Sequence, residues 1–218
     1  MKDEPCLQLS EIFYSIQGES SFAGYPCLFF RLSGCNLRCS YCDAKYTYEE
    51  PATPTPLSTL LTEATRYPNA LIEITGGEPL LQEEVYPLMD ALLATGRTVL
   101  LETNGSLSIA RVPQAVVKII DLKCPDSGMA EKMDLANLDL LAPHDEIKFV
   151  VSSRADYDWA RTMMEEHRLA EKAKVILSPV IGRLAPALLA QWLMADALPA
   201  RLQLQLHTLL WPGMKRGV

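Results

Sequence analysis

Apolar runs of strand length alternate with helically spaced apolar positions along most of the 218-residue chain. The partly alternating stretch 7–13 predicts a short first strand. Residues 27–32 form a compact apolar run interrupted by Arg31. Further strands are predicted over 70–74, 98–101, 115–120, 146–151, 174–177 and 202–206. Between them, Leu57, Leu60, Leu61 and Ala64 recur at helical spacing, predicting a helix to Arg66. Helices are also predicted over 80–95, with Gly96 as its stop signal, and over 155–167 and 186–195. The breaker-rich 51–56 reads as a connector, and 125–144 is the least regular segment, with one short helix around 135–141.

Strands alternating with helices predict βαβ units and a parallel sheet. Nearly every predicted strand ends in polar, charged or glycine residues: Thr75-Gly76-Gly77-Glu78-Pro79, Glu102-Thr103-Asn104-Gly105, Asp121-Leu122-Lys123-Cys124-Pro125, Ser152, Ser178-Pro179-Val180-Ile181 and His207. Parallel α/β folds bind ligands at that edge. Six or seven strands after the first fall short of a closed eightfold barrel. The expected fold is therefore an α/β partial, open (β/α)6-type barrel, with residues 1–218 forming one domain.

Composition narrows the class. A net charge of −7 without a basic patch argues against nucleic acid as a partner. No apolar run reaches membrane-spanning length, and the first five residues carry no apolar signal core. The six cysteines are unevenly placed and do not form a disulfide framework; a reducing, cytoplasmic setting is expected.

Three of them, Cys35, Cys39 and Cys42, stand at C-x3-C-x2-C just after a predicted strand. Three thiolates cannot complete a tetrahedral zinc site, and neither a second C-x2-C pair nor paired histidines follow. A four-iron cubane held by three cysteines instead leaves one iron open to a cofactor. An incomplete zinc knuckle, or three incidental thiols, is the plainer reading of the spacing alone. Arg31 within a strand is either a strand-end side chain facing water or an anion clamp, its fork suiting a carboxylate. Gly76 and Gly77 permit close backbone approach to a ligand, and Glu78 could hold an amino group; alone, the segment is an ordinary strand-to-helix turn. His144 and His167 read as surface residues, whereas His207 faces the presumed pocket.

Together, the cysteine spacing and the Gly-Gly-Glu-Pro turn resemble the radical S-adenosylmethionine enzymes. That resemblance implies a [4Fe-4S] cluster on Cys35, Cys39 and Cys42. It places the methionine end of S-adenosyl-L-methionine at Gly76, Gly77 and Glu78, and Tyr41 and Asp43 near the adenine. Further cofactor contacts are implied at Thr103, Asp121, Leu122, Lys123, Ser178, Pro179, Val180 and Ile181.

The match narrows further. Phe13-Tyr14-Ser15-Ile16-Gln17-Gly18-Glu19, Arg31, Cys42-Asp43, Thr75 and Leu204-Gln205-Leu206-His207 are similar to the 7-carboxy-7-deazaguanine synthase family. The resemblance implies conversion of 6-carboxy-5,6,7,8-tetrahydropterin to 7-carboxy-7-deazaguanine with loss of ammonia, in queuosine and deazapurine biosynthesis. Ile16, Gln17, Gly18, Glu19, Arg31, Thr75 and His207 then become substrate contacts. It also implies a homodimer and an electron donor such as flavodoxin or ferredoxin. The chain departs from the family where a threonine or serine hydroxyl usually ligates Mg2+: Ala44 stands there and offers no oxygen. It departs again at Asp121, and in a tail that runs on past Trp211. A glycyl-radical activase and a non-catalytic metal-binding module are the competing readings.

Overall fold

A computed structural model of the chain describes residues 4–218. Met1, Lys2 and Asp3, part of the segment read for a signal core, lie outside the described residues. Nine strands form one sheet: β1 (Cys6–Ile16), β2 (Pro26–Leu32), β3 (Thr53–Pro56), β4 (Leu71–Gly76), β5 (Val99–Thr103), β6 (Val117–Leu122), β7 (Glu146–Val151), β8 (Lys174–Pro179) and β9 (Arg201–Leu202). Their order is β3-β1-β2-β4-β5-β6-β7-β8-β9. From β2 onward neighbouring strands run parallel; β1 is antiparallel to β2, and β3 to β1. The sheet does not close, which is the partial barrel expected from the pattern.

Helices α1 (Tyr46–Glu49), α2 (Leu57–Thr65), α3 (Val85–Ala94), α4 (Arg154–Glu166), α5 (Leu169–Lys172), α6 (Pro186–Ala195) and α7 (Leu206–Leu210) complete the chain. Ser153 caps α4 by accepting from the Asp156 amide, and α6 starts on a proline whose missing N–H would have been unpaired anyway.

Parallel strands are covered on both faces, so the period-2 alternation separates two interiors rather than core from water. One set of positions, including Leu28, Phe30, Ile72, Leu101, Ile147 and Leu177, packs into the main core under the helices. The alternate set faces inward across the barrel. Its lower half is apolar, from Phe29, Leu71, Leu100, Val117 and Ile119. Its upper half, toward the strand C-termini, carries Arg31, Glu73, Thr75, Glu102, Asp121 and Lys148.

Several expected boundaries moved. The first strand runs to Ile16 because its whole length pairs with β2. The proline-rich connector contains β3, which can form because it lies at the sheet edge, where missing donors are harmless. The helix expected over 80–95 divides: Glu78 accepts from Leu80 N and caps a short 3-10 turn, and the helix proper starts at Val85. The largest difference is at the end. The expected strand 202–206 is only two residues long, and His207 lies in α7 instead of at a strand end. The segment is captured by the loop after β1: Leu206 N donates to Gly18 O at 3.0 Å, and Gln205 Nε2 to Glu19 Oε1 at 2.9 Å.

Candidate active site

A cavity of about 990 Å³ opens at the C-terminal ends of the parallel strands. Cys35, Cys39 and Cys42 all line it, and all six cysteines are free thiols. Their loop is fixed from several sides. Gly34 N donates to Thr47 O at 2.7 Å, Ser40 N to Ser127 O at 3.0 Å, and Arg38 Nη1 to the Cys35 and Leu37 carbonyls. Burial pushes the Cys39 thiol up to about 11, with Lys123 pulling the other way; burial also raises Cys42. Among the described residues no three of His, Cys, Asp or Glu converge as the ligands of one ion. A cubane spreads its ligands over separate irons, so thiols sharing one wall suit it better than they suit zinc.

The Gly-Gly turn presses against this loop. A Cβ on Gly77 would stand 2.0 Å from Gly34 O, and one on Gly76 2.3 Å from Leu32 O. Gly76 also has φ +151°, a conformation side chains disfavour. Both glycines line the cavity, so their bare backbone is available to a ligand beside the thiols.

Glu78 behaves differently from expectation. It is fully buried and not on the cavity wall. Its Oε1 accepts from Leu80 N at 3.0 Å and Thr103 Oγ1 at 2.8 Å, and its Oε2 from Asn104 N at 2.7 Å. Burial raises its pKa, while the amide and hydroxyl donors hold it down. The side chain ties the β4 turn to the end of β5.

Charge fills the cavity floor. Lys148 Nζ lies 2.6 Å from Glu19 Oε2, 2.5 Å from Glu102 Oε1 and 3.3 Å from Asp121 Oδ2. Lys123 Nζ lies 2.8 Å from the same Asp121 oxygen. Burial lowers the Lys148 pKa, but Asp121, Glu102 and Glu19 outweigh it and raise it well above the ordinary value. Glu73 is raised well above its usual range, by burial first and then by Glu102 and Glu19. Gln17 Nε2 donates to Glu73 Oε2, and Gln17 Oε1 accepts from Glu19 N at 2.8 Å. Asp121 Oδ1 is enclosed without a hydrogen-bond partner, an acceptor left over for a ligand donor.

Arg31 is a pocket residue, not a solvated one. It stands opposite Glu11 in the β1–β2 ladder, and its Nε donates to Glu11 Oε1 at 2.8 Å while its guanidinium lies 5.3 Å from the Phe13 ring centroid. Tyr46 OH shares that carboxylate at 2.9 Å.

Most of the expected site residues line this one cavity: Ile16, Gln17, Gly18, Glu19, Arg31 and Thr75 from the substrate set, and Tyr41, Asp43, Thr103, Asp121, Lys123, Val180 and Ile181 from the cofactor set. His207 joins them from α7; its Nδ1 is 3.0 Å from where a Gly18 Cβ would be. Leu122 does not: alternation turns its side chain into the main core. Ser178 and Pro179 are buried at the end of β8, off the cavity wall. Sequence reasoning missed Glu73, Glu102 and Lys148. Glu73 and Lys148 interrupt apolar strand runs at alternate positions, the signal already used for Arg31. It also missed the wall built by residues 212–216 and Val218.

The comparisons agree with this arrangement. The family described as the Radical SAM superfamily matches residues 31–174. The chain is 46% identical to the 7-carboxy-7-deazaguanine synthase of Koribacter versatilis over 97% of its length and all of that protein. It is likewise 46% identical to the Chlorobaculum tepidum 7-carboxy-7-deazaguanine synthase over the full length of both. The fold superposes on crystalline QueE from Escherichia coli with a TM-score of 0.77 at 23% identity, covering 92% of this chain and 94% of that one. Streptococcus suis SuiB bound to S-adenosylmethionine gives 0.54 at 13% identity, covering 83% and 50%. The family match, over an open parallel barrel with three free cysteines at its strand ends, makes the chain a radical S-adenosylmethionine protein. Within that superfamily, the chain belongs to the 7-carboxy-7-deazaguanine synthase family.

Proposed function

We infer that the chain is a radical S-adenosylmethionine lyase that converts 6-carboxy-5,6,7,8-tetrahydropterin to 7-carboxy-7-deazaguanine with loss of ammonia, in queuosine biosynthesis. The observation that carries this is end-to-end identity of 46% with synthases of that name, in a chain whose cysteine loop and polar floor share one cavity. The bound [4Fe-4S] cluster would supply the electron that splits S-adenosyl-L-methionine into methionine and a hydrogen-abstracting adenosyl group. Cys35, Cys39 and Cys42 would hold the cluster, and the fit rests on three free thiols beside a glycine cradle that admits no Cβ.

The chain's own groups would bind and orient. Backbone at Gly76 and Gly77 would receive the methionine end of the cofactor, and Thr103, Asp121 and Lys123 would face its ribose. Tyr41, Asp43, Val180 and Ile181 would enclose the adenine. Glu19 and Gln17 suit the N–H groups of a pterin, and Arg31 suits an anionic group. Thr75, Ile16, Gly18 and His207 would complete the substrate wall. Mg2+ finds little: Ala44 lines the cavity without an oxygen donor of its own side chain, and Asp43 is the carboxylate beside it. No step is assigned to that ion. If Asp43 and the substrate nevertheless hold it, Ala44→Thr will raise magnesium dependence, read as activity against added Mg2+.

A one-electron donor such as flavodoxin or ferredoxin would feed the cluster in the cytoplasm. The exposed Met194, Leu209 and Leu210 would suit a homodimer contact, measurable by sedimentation. A glycyl-radical activase would need an open surface for a protein substrate; the charged, recessed floor favours a small polar heterocycle. The deciding experiment is anaerobic reconstitution with iron and sulfide. Broad absorption near roughly 400 nm, characteristic of thiolate-bound clusters, and the mass of 7-carboxy-7-deazaguanine after turnover are expected. Cofactor cleavage without that product would remove the assignment.

A further inference from the structure

We propose that Lys148 is a positioning residue: one buried ammonium that holds Glu19, Glu102 and Asp121 in place, so that Glu19 and Glu102 present fixed acceptors to the N–H groups of the heterocycle while Asp121 stays aimed at the cofactor. The inference rests on the synthase reading and adds to it a residue with no assigned role.

The geometry is unusual for a lysine. Lys148 sits mid-strand in β7, where apolar neighbours Ile147 and Phe149 pack into the core, and its side chain is only 5% exposed. Its Nζ meets carboxylates from three other parts of the chain: Glu19 from the loop after β1, Glu102 from β5 and Asp121 from β6. Its hydrogen bonds go to Glu19 and Glu102, and Asp121 completes the set as an ion pair at 3.3 Å. Burying a charge this deeply is costly, and a structural ion pair would need one carboxylate, not three. All four side chains line the cavity, so the network lies on the ligand surface and not under it.

The remaining titratable neighbours complete the balance. Glu73 on β4 lies close enough to Glu102, Glu19 and Lys148 to feel all three, and Arg31 on β2 acts on Glu73. Lys123 neutralises Asp121 from the other side. From β8, Ser178 on the inward face carries no charge. Glu19 is held a second time by Gln205, and Glu102 by Thr75 Oγ1 at 2.9 Å. Removing Lys148 would therefore leave three carboxylates facing one another with Lys123 as the nearby countercharge. Their mutual repulsion would turn them apart, and they would no longer present fixed acceptors to N–H groups.

The test uses reconstituted protein and 7-carboxy-7-deazaguanine as the titrant, with affinity measured by calorimetry at pH 7. Wild type, Lys148→Met and Lys148→Arg are compared, with thermal unfolding and steady-state kinetics alongside. Lys148→Met is expected to weaken product binding at least about tenfold. Turnover should show the loss mainly in KM. Lys148→Arg, which keeps the charge, should restore the affinity and KM. Should Lys148→Met fail to fold, Lys148→Gln carries the same comparison. A lowered melting temperature with unchanged affinity and KM would reduce Lys148 to a structural ion and overturn the proposal. If wild type itself neither binds this product nor makes it, the synthase reading fails first and takes this inference with it.

Discussion

Gly77 rests directly on Gly34: a Cβ at residue 77 would lie 2.0 Å from the Gly34 carbonyl oxygen and 2.9 Å from the Cys35 Cβ. The strand-to-helix turn after β4 is thereby the floor on which the cysteine loop stands. Backbone cannot yield as a flexible side chain can. Gly77→Ala is expected to displace residues 34–35, cost about 1–3 kcal/mol through overpacking, and lower iron retention after reconstitution. Iron content and melting temperature check it; a variant that keeps a full cluster would show that the contact is not needed.

Arg31 and Glu11 carry a separable function. Glu11 also accepts from Tyr46 OH and from Gly217 N at 3.1 Å, so it stays partnered when Arg31 is removed. No hydrogen bond joins the Arg31 side chain to the cysteine loop. Arg31→Ala should raise KM about tenfold, the loss of one charge-assisted contact of roughly 1.4 kcal/mol, while the absorbance of the cluster is unchanged. Loss of colour in that variant would contradict this separation.

The two sets of inward positions explain what the sequence made legible. Strand runs such as 146–151 and the helix over 186–195 appear at the expected residues, because apolar spacing and a proline at the helix start decide them locally. Cys35, Cys39 and Cys42 were legible because ligand spacing is a local property. The internal bonds of Glu78 to Thr103 and Asn104 span more than twenty positions and are invisible to a turn motif. Lys148 was passed over because a charge inside an apolar strand has meaning only once the strand's neighbours, and hence Glu19, Glu102 and Asp121, are known. His207 was placed correctly at the pocket but on the wrong element, since the capture of 205–206 by the β1 loop is a long-range event.

Glu73 gives a pH signature. Its carboxyl is raised well above the ordinary glutamate value of 4.5 by burial and by Glu102 and Glu19, against the pull of Lys148 and Arg31. It therefore keeps its proton in the fold at pH values where the unfolded chain releases it. Stability contributed by this group falls as pH rises above 4.5 and continues to fall until the folded carboxyl ionises. Glu73→Gln removes the titration while keeping an oxygen acceptor for Gln17. The melting temperature of the variant minus that of wild type should grow between pH 5 and pH 8, measured by thermal unfolding in matched buffers. A difference that shrinks with pH would mean that Glu73 is ionised in the fold.

The tail closes the last side of the cavity. Residues 212–216, all exposed, and the half-buried Val218 line it. Their anchors are few: Arg216 reaches Glu50 at 2.6 Å and lies 4.3 Å from the Tyr46 ring centroid, and Gly217 N reaches Glu11. The ion pair is half in water, so it is worth at most about 1 kcal/mol. A chain ending at Gly213 should thus melt within a few degrees of wild type, because no core residue is lost. Its cavity would open toward Arg31 and Tyr46, and a polar ligand held there would regain water. Product affinity should drop at least about fivefold, with dissociation faster instead of association slower. Stopped-flow binding of 7-carboxy-7-deazaguanine to the full-length and shortened proteins separates the two rates. Equal dissociation rates would leave the tail a bystander at the rim, and a large fall in melting temperature would make it part of the fold.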